Sequence, residues 1–145
     1  MTSAWGDSIV TMERVLHFAA DQSIVAAGTL DSTTVDTFFG ASFTGAPAAG
    51  GQQNGPLVRP IGHLLIGARA SAGAVAFDVI ILGSLTGAVA QIEAIVAATQ
   101  FRMIARNCYW PRMGVRIRNN AAIAQTIRWS VIWAPGPVAE VTVAV

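Results

Sequence analysis

The chain contains no lysine. Its nine basic residues are all arginine, set against eight acids, for a formal net charge of +1 over 145 residues. Charged residues make up only 12% and hydrophobic ones 53%, where an ordinary soluble domain is about a quarter charged. A monomer this apolar is short of polar groups to cover its surface. The composition fits a small, Ala-rich β domain, or a chain much of whose surface is buried against other chains. The missing lysine also reads two ways. Arginine is the less strongly hydrated cation and suits forked hydrogen bonds in interfaces, and a GC-rich genome choosing arginine codons gives the same bias. Cysteine occurs once, as Cys108, which excludes an intrachain disulfide. The uncharged stretch 79–92 is flanked by Asp78 and Glu93 and broken by Gly83 and Gly87. It falls short of the roughly 20 residues that cross a bilayer as a helix, so no membrane partner is expected. The opening MTSAWGDSIVTMERV lacks the basic and apolar regions of a secretory signal, and none is expected.

Chemistry is equally thin. His17, His63 and Cys108 have no short spacing, so no metal site is expected. No nucleophile elbow, phosphate loop or dinucleotide fingerprint occurs, so no catalytic residue and no cofactor is assigned. A Cys108 nucleophile activated by His17 or His63 is an enzymatic arrangement the residue types allow, and a carboxylate pair is a spatial feature that sequence does not give. Against the cysteine nucleophile stands a small buried thiol.

What the chain does have is alternation. Val115 and Ile117 lie on one side of a strand and Arg116 and Arg118 on the other. After Asn119-Asn120, Ile127, Trp129, Val131 and Trp133 share one face and Thr126, Arg128 and Ser130 the other. The pattern predicts a β-hairpin with one buried face, its turn made by asparagines that tolerate the left-handed conformation. Pro135-Gly136-Pro137 ends the second strand. Residues 63–69, 74–82 and 101–106 also read as strands, with a turn at 71–73 between the first two. Residues 88–100 fit a helical stripe or a strand, and the surrounding strands favour strand. Residues 14–18, 23–30 and 34–39 are candidate strands. Residues 40–60 are rich in Gly, Ala and Pro without periodicity, a long loop or arm of the kind that is either functional or disordered. Residues 138–145 are strand-like and fit the edge of a neighbour's sheet. The whole is expected to be one all-β domain, a jelly-roll-like antiparallel β-sandwich over residues 1–145.

Charge is unevenly spread. Residues 1–58 hold five acids and one arginine, whereas residues 94–139 hold six arginines and no acid. Such asymmetry marks nucleic-acid binding, or two faces that pair within one chain or between neighbours. Trp129 lies opposite Arg128, so the two cannot serve one base together, and nucleic acid is disfavoured as a partner. The arginines are read instead as an assembly face. Arg112, Arg116, Arg118 and Arg128, with Val141 and Val143 of the tail, are the candidate interface residues.

The run Phe101-Arg102-Met103-Ile104-Ala105-Arg106, Tyr109-Trp110, Gly114 to Asn120 and Ala124-Gln125-Thr126-Ile127-Arg128-Trp129 resembles the last half of small jelly-roll or β-sandwich virion proteins of tailed bacteriophages. These include capsid decoration proteins and fibre-like appendage modules. The likeness covers residues 60–134. It implies a homo-oligomeric structural protein, often a trimer, located in the virion and in contact with the major capsid protein or neighbouring shell subunits. It implies no catalytic residue. A single-jelly-roll coat protein is the near alternative. A carbohydrate-binding module, with Trp5, Trp110 or Trp133 as a stacking platform, is the alternative from another class.

Overall fold

The computed structural model describes residues 13–36, 41–43, 61–70, 77–84, 90–97 and 101–144. Eleven strands and no helix occur among them: β1 (Arg14–Ile24), β2 (Thr29–Asp31), β3 (Thr34–Asp36), β4 (Ala41–Phe43), β5 (Gly62–Ala70), β6 (Phe77–Ser84), β7 (Ala90–Ala97), β8 (Phe101–Cys108), β9 (Arg112–Asn119), β10 (Gln125–Pro135) and β11 (Val141–Ala144). A five-stranded sheet has the order β1-β10-β5-β8-β11. A six-stranded sheet has the order β4-β3-β9-β6-β7, with β2 also on β9. Every pairing is antiparallel.

The two sheets bury one shared core, as alternation requires. Leu64, Ile66, Trp129, Val131 and Trp133 come from the five-stranded sheet; Phe77, Val79, Ile81, Val115 and Ile117 come from the other. The molecule is therefore an all-β sandwich. The tryptophan face of β10 is the core face, as the alternation predicts. Trp129 donates its indole N–H to Gln22 Oε1 at 2.8 Å, and the His17 ring stacks on it with centroids 3.6 Å apart. Two register shifts in β1 flank His17. They let Leu16 enter the core while the next residue, His17, meets Trp129. Burial holds the His17 imidazole below its usual pKa.

Four expectations change. The predicted hairpin does not form: β9 belongs to the six-stranded sheet and β10 to the five-stranded one. Residues 120–124 arch between the sheets, and Asn119 organises that arch without a left-handed turn. Its side chain is fully buried. The amide nitrogen donates to the carbonyls of Ile24 (3.0 Å), Val25 (3.2 Å) and Ile123 (2.9 Å), and Oδ1 accepts from the Ala121 N–H (2.8 Å). The candidate strand 23–30 is divided by a turn in which Gly28 N–H bonds Val25 O and Ala27 takes a positive φ of 58°. Within 40–60, residues 41–43 form β4 against β3; the rest lies outside the described residues, as do the turn at 71–73 and residues 37–39. The tail segment 141–144 pairs with β8 of its own chain rather than leaving its sheet. The ambiguous stretch 88–100 is strand over Ala90–Ala97.

Candidate assembly face

Each sheet has one face turned away from the core, and the six candidate residues divide between the two. Arg112, Arg116 and Arg118 lie on β9, in the six-stranded sheet. Cross-strand register sets their neighbours. Asp31 of β2 stands opposite Arg116, and Asp78 of β6 opposite Arg118. Arg116 grips Asp31 through two bonds, Nε to Oδ1 at 2.7 Å and a terminal nitrogen to Oδ2 at 3.0 Å. That forked contact pushes the guanidinium pKa up, outweighing the loss of water. Arg118 bonds Asp78 Oδ2, with the carboxylate side chain only 5% exposed. Asp78 Oδ1 and Arg118 Nε are buried and make no hydrogen bond. The other outward residues of β6, Ile80, Leu82 and Ser84, are buried too. Arg112 opens β9, half-buried, opposite Asp36 and Ser84. On this side the charge asymmetry is resolved inside the chain: an acid of the N-terminal third, Asp31, answers an arginine of the C-terminal third. Of the two pairings the asymmetry allows, within one chain or between neighbours, Arg116 and Asp31 make the first.

Arg128 belongs to the other face. It stands between Asp21 and Arg69 across β1, β10 and β5 and bonds Asp21 at 3.0 Å, both side chains being more than half exposed. Beyond this polar row the outward face of the five-stranded sheet is apolar. One cross-strand row runs Val15, Ile132, Leu65, Ala105, Val141, and the next carries Ser130, Gly67, Met103, Val143. Val15 is 56% exposed, Leu65 42%, Met103 52%, Val141 43% and Val143 44%. Phe18, on β1, is 79% exposed. Of the nine exposed large hydrophobic residues among the described residues, five lie in these two rows and a sixth, Phe18, lies on the edge strand β1. Gly67 and Ser130 have little or no side chain, so the centre sinks into a shallow trough of about 470 Å³ walled by Leu65, Ile132 and Met103. Of this face the sequence names Arg128, Val141 and Val143 as candidates but not Leu65, Met103 or Ile132. Alternation carries the missing signal: with Leu64 and Ile66 inward, Leu65 must point out.

The remaining candidates for chemistry fall inside. Cys108 is fully buried, and burial pushes its thiol pKa up to about 12, so it is not a thiolate at neutral pH. Its sulfur faces the Trp133 indole, whose N–H has no conventional hydrogen-bond acceptor. His63 Nδ1 lies 2.9 Å from the Gly136 carbonyl. Among the described residues no group of three His, Cys, Asp or Glu could hold a metal ion. Of the three tryptophans named as a sugar platform, Trp133 is 2% exposed and so closed to a ligand. Trp110 is half-buried against the core, and Trp5 lies outside the described residues. Comparison with known proteins finds no matching family model, no matching curated protein and no matching solved structure.

Proposed function

We propose that this protein is a structural subunit of a bacteriophage virion, a capsid decoration or cement protein. It assembles with copies of itself, as a trimer, and with the major capsid protein. The observation that carries the assembly part is the apolar outer face of the five-stranded sheet. Exposed apolar patches of this kind mark interaction surfaces. From strand spacing and rise, the face covers about 600 Å². Covering this face with an equal area of a neighbour's surface, the next copy round a trimer or the shell, buries about 1,200 Å² in total, the lower bound of a stable interface. Arg128 and Arg69 give it a polar rim, the usual anatomy of an interface.

The strand order supports the jelly-roll part of the reading. β1-β10-β5-β8 stand against β3-β9-β6-β7, and the chain changes sheet between β1 and β2, β4 and β5, β5 and β6, β7 and β8, β8 and β9, and β9 and β10. Eight strands arranged as two Greek keys are the plan of capsid and lectin domains. The virion part rests on the resemblance of residues 60–134.

Native mass, measured across protein concentration, tests the reading. The expected result is a trimer or larger closed assembly, which Leu65→Asp and Met103→Asp reduce to a folded monomer whose unfolding no longer depends on protein concentration. A wild-type protein monomeric at every concentration and salt would overturn it.

A further inference from the structure

A second surface feature lies away from the apolar face, at the side of the sandwich where β7 of one sheet approaches β8 and β11 of the other. A cleft of about 210 Å³ opens there. Its inner wall is apolar: Ile81, Ile92, Met113 and the Trp110 ring. Gly83 makes this wall possible. A Cβ at that position would collide with Ile92 Cδ1 and lie 2.9 Å from Trp110 Cγ. Tyr109 completes the aromatic side, and Glu93, Arg106, Asn107 and Glu140 form the polar side.

The hydrogen-bond inventory of that polar side decides what fits. A guanidinium has five N–H donors, and Arg106 spends all of them. Nε and one terminal nitrogen bond Glu93 at 2.9 and 3.3 Å, the other terminal nitrogen bonds the carbonyls of Ala105 and Val141 at 3.0 and 2.7 Å, and Thr142 Oγ1 takes the last. Asn107 is largely committed: one amide N–H and Oδ1 pair with the Val138 backbone, and its backbone N–H bonds Glu140 Oε2 at 2.9 Å, leaving one amide N–H. Acceptors remain in excess, because each carboxylate offers about four lone-pair sites. Glu93 is neutralised by Arg106, whereas Glu140 has no ion pair among the described residues. The cleft therefore carries one surplus negative charge, no spare donor from Arg106, and aromatic and aliphatic walls.

We infer that this cleft binds an alkyl cation, a guanidinium or ammonium group on a short hydrocarbon stem. The stem lies on Ile92 and Met113, the charged head meets Glu140 and the outer lone pairs of Glu93, and the aromatic rings add attraction for a cation. An anion would meet uncompensated carboxylate. At 210 Å³ the space is below the roughly 300–1,000 Å³ of drug-sized sites, so it takes a single side-chain-sized group. The same chemistry is offered by a free amine or by a basic side chain of a partner protein.

The test uses the full chain labelled with ¹⁵N, following the indole N–H resonance of Trp110, assigned with Trp110→Phe. The probes are n-butylguanidinium, the capped tripeptide acetyl-Gly-Arg-Gly-amide, and methyl glucoside as a neutral polyol. Saturable shifts with a Kd of about 1–10 mM are expected from the guanidinium probe, with weakening at high salt. Glu140→Gln, exposed and still able to accept from Asn107, is expected to weaken binding about fivefold. Tripeptide binding at least as tight as that of n-butylguanidinium assigns the site to a partner's side chain; binding of the free probe alone assigns it to a small cation. No shift from either cation, an equal response to methyl glucoside, or full affinity in Glu140→Gln would overturn the inference.

Discussion

The two outward faces of this sandwich start from similar local sequence and end in opposite states. β5 carries Leu-Leu-Ile and β6 carries Val-Ile-Ile-Leu, short apolar runs without a polar side. In β6 every residue is buried, outward ones included; in β5 the outward Leu65 is 42% exposed. Charge follows the same division. The six-stranded sheet holds Asp31, Asp78, Arg116 and Arg118 in close pairs, whereas the five-stranded sheet keeps its ion pair, Asp21 with Arg128, at one end of an apolar field. Arginine on a strand face is thus no guide by itself to an assembly surface. On one face it closes the chain's own electrostatics, and on the other it borders the surface left open.

If that contrast is right, the largest stability effect belongs to the six-stranded face. Asp78→Ala removes a buried carboxylate and leaves Arg118 without its partner. The expected loss is about 2–3 kcal/mol, moderated because half-exposed Arg118 still reaches water. Urea unfolding would measure it. A loss below about 0.5 kcal/mol would mean that the pair is held in place by its surroundings rather than supporting them. At a dilution where both proteins are monomeric, Met103→Asp is expected to cost no more than about 0.5 kcal/mol, because an exposed site has little packing to lose. The two variants would then separate along the two faces, one in stability and the other in native mass.

Much of this architecture is legible in the chain. Period-two alternation places Trp129, Trp133, Val115 and Ile117 in the core and Arg116, Arg118 and Arg128 outside it, and the structure agrees. Connectivity is harder to read. A strand pair joined as a hairpin and a strand pair that arches between two sheets have the same alternation. The length of the break does not distinguish them: residues 120–124 exceed a two-residue turn but fit a five-residue hairpin loop as well as an arch between sheets. The role of Asn119 follows from burial, which its own sequence neighbours do not encode. Charge pairing is legible only in part. The acidic first third and basic last third announce that opposite charges meet, but whether Asp31 meets Arg116 of its own chain depends on β2 lying beside β9, a contact 85 residues apart in sequence. The exposure of Leu65 is of the same kind, since what covers an apolar outer face is a property of the assembled sheet.

The salt bridges on the two faces supply a finer test. Arg116–Asp31 is forked, with side chains 33% and 25% exposed; Arg128–Asp21 has one bond and exposures of 57% and 51%. Pairs held in a forked geometry and partly shielded keep more of their Coulomb energy, and singly bonded exposed pairs lose it to water and salt. Arg116→Ala is therefore expected to cost about 1 kcal/mol, with the loss shrinking as salt rises, and Arg128→Ala to cost less than about 0.5 kcal/mol in the monomer. Arg128 gains weight only where the apolar face is covered, because a partner that excludes water from the rim strengthens the pair. In the proposed assembly, Arg128→Ala should leave the unfolding midpoint of a dissociated Leu65→Asp background unchanged and weaken association of the otherwise wild-type chain. Equal effects of Arg128→Ala in both backgrounds would place its contribution in the fold and remove it from the interface.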